Sequence, residues 1–81
     1  MGEIALGTVV RLYLDSIKFV TGRIIRMKLG YVDGSKINKI ITDVELQLTK
    51  DEMKIYHIEY GMRIFRISDE EEKQFLRQFK I

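Results

Sequence analysis

Six basic side chains, Lys18, Arg23, Arg26, Lys28, Lys36 and Lys39, fall in a stretch whose single acid is Asp33, a local net charge of +5. Cations at that density attract a phosphate backbone, and Phe19 and Tyr31 beside them offer flat surfaces for base stacking. Arg23, Arg26 and Lys28 are therefore the candidate phosphate contacts, and Tyr31 the candidate stacking ring. The competing reading is a solvated strand face whose charges discourage edge-to-edge aggregation. From Ile40 to Met62 the sign reverses, with two bases against five acids and a local charge of −3. The net charge of the whole chain, +2, does not by itself announce a nucleic-acid binder.

Catalytic constellations are thin. The single histidine, His57, stands between Tyr56 and Ile58, and the three serines fall in turns (Ser16, Ser35) or at a helix start (Ser68). No Ser–His–Asp arrangement can be argued from that set, and one histidine is too few for most metal sites. Asp43 followed by Glu52-Met53-Lys54 makes a D…E-x-K string, which metal nucleases use to hold magnesium beside an activated water. In a chain that is 32% charged such a string arises readily by chance, and Glu52 lies in a turn. The six glycines form no phosphate-cradling loop. The expectation is a protein that is not an enzyme and needs no cofactor or metal.

The elements that must position these residues are mostly strands. Twelve Ile, five Val, four Thr, four Tyr and four Phe favour strands, while Ala occurs once and Pro never. Thr8 to Leu14 alternates, with Val10, Leu12 and Leu14 on one face and Val9, Arg11 and Tyr13 on the other. Asp15-Ser16 reads as a tight turn. A long strand follows from Ile17 toward Leu29, in which the apolar parity changes around Gly22, as a strongly bent strand requires. Asp33-Gly34 suits a type I′ turn in a hairpin extension. Val44, Leu46 and Leu48 alternate with polar residues; Met53 to Tyr60 and Met62 to Ile67 complete the strands, with Gly61 at a corner.

The period then changes. Ser68 with Glu71 reads as a capping box, and Asp69 to Glu72 crowd the first turn of a helix over about residues 69–80. Phe75, Leu76 and Phe79 form a narrow apolar stripe that must dock, on the end of the chain's own barrel or on a neighbouring subunit. Residues 1–81 thus read as a single, mainly β domain: a small, strongly bent antiparallel barrel of five or six strands with a C-terminal helix. No apolar run approaches the roughly 18 residues of a membrane span, and the opening residues do not read as a signal peptide, so no membrane partner is expected. The absence of cysteine removes thiol chemistry and suits a reducing, cytoplasmic setting.

Val9-Val10-Arg11-Leu12-Tyr13-Leu14, a polar turn, Ile17-Lys18-Phe19 and Gly22-Arg23-Ile24 together resemble the first hairpin of the Sm-like small barrels, in their Hfq-like branch. Ile55-Tyr56-His57-Ile58 and Ile64-Phe65-Arg66-Ile67 are similar to that family's Y-K-H segment and short last strand. The chain departs from the pattern in its Asp15-Ser16 turn, an apparent insertion over residues 30–39, and a helix at the C-terminal end. The resemblance implies an SH3-like barrel that assembles as a homo-oligomeric ring and binds RNA, with Tyr56 and His57 near the pore. The expected function is non-enzymatic binding of RNA or single-stranded nucleic acid through Arg23, Arg26, Lys28, Tyr31, Tyr56 and His57. The alternative is a protein-interaction or assembly module using the helix and strand edges.

Overall fold

A computed structural model describes residues 4–31, 34 and 39–79. Strands β1 (Val9–Tyr13), β2 (Phe19–Tyr31), β3 (Lys39–Gln47), β4 (Met53–His57) and β5 (Arg63–Arg66) precede helix α1 (Asp69–Arg77). The strands form one antiparallel sheet in the order β4-β3-β2-β1-β5. Among the described residues the outer strands β4 and β5 do not pair with each other, so the sheet is open.

The first hairpin closes as Asp15-Ser16 suggests. The backbone N–H groups of Ile17 and Lys18 donate to Asp15 Oδ1 at 2.8 and 2.7 Å, while Leu14 N–H donates to the Lys18 carbonyl at 2.8 Å. The second hairpin turn falls largely outside the described residues; only Gly34 is described, and its φ of +75° suits glycine.

Val10 and Leu12 of β1, Ile24 of β2, Val44 and Leu46 of β3 and Tyr56 of β4 form the core. No helix side chain belongs to this cluster. Ile4, Leu48, Ile58 and Met62 from flanking segments pack against it, together with Val20, Met27, Ile41 and Ile64 of the strands. The change of face in β2 comes three residues later than Gly22. Val20, Gly22 and Ile24 keep one parity, and the register slips between Ile24 and Arg26, leaving Ile25 as the extra residue of a bulge. A second slip, opposite Lys28 and Leu29, leaves Thr42 unpaired in β3. Gly22 is needed for a different reason than the bend: β3 approaches too closely for any side chain there.

Ser68 caps α1, accepting from Glu71 N–H at 3.2 Å and donating its hydroxyl to Glu71 Oε1 at 3.2 Å. The helix buries none of its residues fully. Glu71 of the helix contacts Arg11, and Phe79, two residues past its end, contacts Arg23, both on the parity opposite to Val10, Leu12 and Ile24. The helix therefore lies on the outer face of the sheet and not on its core.

Candidate nucleic-acid interface

The outer face of β2 carries Arg23, Arg26 and Lys28 together, because the Ile25 bulge cancels the odd-to-even change in their numbering. Across from them in β3 stand Gln47, Glu45 and Asp43, and His57 of β4 stands opposite Asp43. The basic strand and the acidic segment are thus direct neighbours. Arg26 Nε lies 3.6 Å from Glu45 Oε1. Arg23 donates to Gln47 Oε1 at 2.9 Å and its guanidinium sits 5.4 Å from the Phe79 ring centre. His57 Nδ1 is 2.9 Å from Asp43 Oδ1, and this hydrogen bond, with smaller contributions from Thr42 and Lys28, holds the Asp43 carboxyl below its ordinary range. Arg26, Lys28 and His57 remain exposed on a face whose charge is largely balanced.

The two tyrosines are elsewhere. Tyr31 lies three residues beyond Lys28, on the opposite parity, where the Lys39 ammonium sits 5.9 Å from its ring centre. It is exposed, but it does not share a surface with the three bases. Tyr56 is only 9% exposed and belongs to the core, and its burial raises its phenol pKa. Tyr56 therefore has no free ring face to offer a base. Of the D…E-x-K residues, Asp43 is engaged by His57, and the Lys54 ammonium lies 5.3 Å from the Tyr56 ring centre.

A second cluster stands on the same outer face, beyond the helix. Register places Tyr13 opposite Phe19 on one side and Arg63 on the other, and Arg11 opposite Phe65. The Tyr13 ring lies 5.3 Å from Phe19 and 6.1 Å from Phe65, the latter edge-to-face at 79°. The Arg11 guanidinium sits 4.9 Å from the centre of the Phe19 ring. Phe19 and Phe65 are each 49% exposed, which is costly for phenylalanine unless the surface meets something. A cleft of about 590 Å³ opens here, bounded by Arg11, Tyr13, Arg63, Phe65, Arg66 and Glu71 among others.

Arg11, Tyr13, Arg63 and Phe65 were not among the candidate residues of the sequence. The alternation of Arg11 with Tyr13 and of Arg63 with Phe65 was visible. Which strand lay beside which was not, because the β1–β5 pairing joins segments about fifty residues apart. Within the cleft, Arg11 Nη2 donates to Glu71 Oε2 at 2.6 Å. That bond raises the Arg11 pKa and, with the Ser68 hydroxyl, lowers that of Glu71. In comparison with known proteins, the chain matches no family model, and no curated protein or solved structure is significantly similar to it.

Proposed function

We propose that the protein is a non-enzymatic, cytoplasmic binder of RNA or single-stranded nucleic acid that acts as a homo-oligomer. The observation that carries this reading is the grouping of Arg11, Arg63, Tyr13, Phe19 and Phe65 on one exposed face. Guanidinium groups suit phosphates, and exposed rings suit unpaired bases, which duplexes keep stacked. Arg26 and Lys28 of β2 add two exposed bases beside Glu45 and Asp43, with Tyr31 at the end of the strand. A core built from four strands with no helix residue in it supports an Sm-like, SH3-like barrel. The free edges of β4 and β5 offer backbone partners to further copies, and their pairing would complete a ring.

Anisotropy of a labelled single-stranded oligonucleotide at low salt tests the reading. Phe65→Ala should cost about 1–3 kcal/mol per stacked base with little change in salt dependence. Absence of binding to both RNA and DNA overturns it. The second reading, a protein-interaction module, is favoured by one observation: Met53 and Ile55 are exposed on edge strand β4. Light scattering would then show assembly that Ile55→Lys abolishes, with no affinity for oligonucleotides.

A further inference from the structure

The cleft between β1, β5 and the start of α1 is built more specifically than a general cationic surface. Its volume, about 590 Å³, falls within the range of small-ligand sites, about 300–1,000 Å³. Tyr13 and Phe65 meet edge to face at 79°, so a planar ligand stacked on one ring meets the edge of the other. Arg11, Arg63 and Arg66 line the same space, and neither Arg63 nor Arg66 forms an ion pair among the described residues.

Arg11 is only partly satisfied. Its Nη2 holds Glu71, but its Nε is buried with no hydrogen-bond partner among the described residues. A guanidinium edge that presents Nε and Nη2 together matches two oxygens of one anion. Glu71 fills half of that capacity. It is also anchored independently, since the Ser68 hydroxyl donates to its other oxygen and its own N–H donates to Ser68. Glu71 can therefore leave Arg11 and keep its place in the helix cap.

We propose that this cleft binds one nucleotide unit, its phosphate replacing the Glu71 carboxylate on Arg11 and its base stacking on the exposed Phe65 ring beside the edge of Tyr13. The proposal rests on the nucleic-acid reading above and names the ligand of that surface. The acidic first turn of α1 is then an internal competitor: Glu71 occupies the anion position until a phosphate displaces it. An acidic peptide could supply the anion, but it brings no planar ring for Tyr13 and Phe65.

Titration of the full chain with adenosine 5′-monophosphate, adenosine and inorganic phosphate tests this, followed through the side-chain Nε–H resonance of Arg11. The monophosphate should bind at least tenfold more tightly than either fragment. Glu71→Gln, which keeps the cap but surrenders the charge, should tighten monophosphate binding by about tenfold, and Phe65→Ala should weaken it by a similar factor. Unchanged or weaker binding by Glu71→Gln, or adenosine binding as well as its monophosphate, overturns the proposal. If a labelled oligonucleotide still binds in that event, the nucleic-acid reading stands without the cleft. If it binds neither the wild type nor Glu71→Gln at low salt, both fall. An acidic peptide binding as tightly as the monophosphate overturns the nucleotide assignment in favour of a protein partner.

Discussion

Gly22 of β2 and Leu46 of β3 leave no room for a methyl group between them. A Cβ on Gly22 would stand 2.8 Å from Leu46 Cβ, 3.1 Å from the Gln47 carbonyl oxygen and 3.1 Å from Leu48 Cδ2. Two of those three neighbours are close to the backbone and cannot swing aside. Gly22→Ala should therefore destabilise by about 1–3 kcal/mol, with Gly22→Val worse, since overpacking must move a strand. Thermal denaturation of the two variants checks the order. Equal stability of wild type and Gly22→Val would mean β2 and β3 do not approach in this way.

Tyr56 separates a core role from a binding role. Tyr56→Ala should cost about 3–5 kcal/mol of stability, as removal of a buried ring does. Tyr56→Phe should keep both fold and oligonucleotide affinity. Urea denaturation and anisotropy on the same samples check this, and a loss of affinity in a fully stable Tyr56→Phe protein would restore the residue to the interface.

The aromatic stripe of α1 is half-buried, so its truncations should be mild. Phe75→Ala should cost about 1–2 kcal/mol, below the 3–5 of a fully buried ring. Phe79→Ala should add the loss of its contact with Arg23, about 0.5–1 kcal/mol at an exposed site. Melting curves give the costs. Light scattering shows whether the stripe also joins copies, in which case the double variant stays folded but loses its assembly.

Acid should weaken the fold through three named carboxylates. Two backbone N–H groups lower the Asp15 pKa, the His57 hydrogen bond lowers that of Asp43, and the Arg11 hydrogen bond lowers that of Glu71. A carboxylate with a depressed folded-state pKa stabilises the fold above its unfolded pKa, near 4, and that contribution is lost as pH falls through the folded value. Stability should therefore decline from about pH 4 downward. Asp15→Asn, whose amide oxygen can still accept from Ile17 and Lys18, should make the decline shallower. Urea midpoints at neutral pH and in acid give the comparison.

The β2 bases should matter less than their number suggests. Two free phosphate contacts on a single strand would contribute about 1.4 units to the slope of log K against log salt. Arg26 already faces Glu45 and Lys28 faces Asp43. The Arg26→Ala, Lys28→Ala double variant should therefore flatten the slope by less than that, while Glu45→Gln should strengthen binding. Salt titrations of the three proteins settle the comparison.

Much of the fold was legible from alternation and punctuation. Val10 and Leu12 announced the inner face of β1, Asp15-Ser16 the first turn, and Ser68 with Glu71 the helix cap. Those signals are local, and each is complete within a few residues. The site was less legible because its geometry depends on pairing. The odd number of Arg23 and the even numbers of Arg26 and Lys28 hide a shared face that exists only through the bulge at Ile25. The acids Asp43 and Glu45 neutralise that face only because β3 lies beside β2. The family resemblance placed Tyr56 near a ring's pore, yet β4 packs it with Val44 and Leu46 in the core.

The sheet order also fixes a sequence of events in time. β1, β2 and β3 each pair with the next strand along the chain, so three hairpins can zip locally. The β1–β5 seam must instead close a loop of about fifty residues, and ordering that loop comes at an entropic cost before any contact offsets it. Arg63 and Phe65 arrive with that seam, and Arg11 and Tyr13 wait for them on β1. Fraying of β5 would therefore remove Arg63 and Phe65 from the surface while leaving Tyr13 against Phe19. A partly unfolded chain without the β1–β5 seam would keep the β2 charges but not this surface, so any ligand of the surface would distinguish the two states.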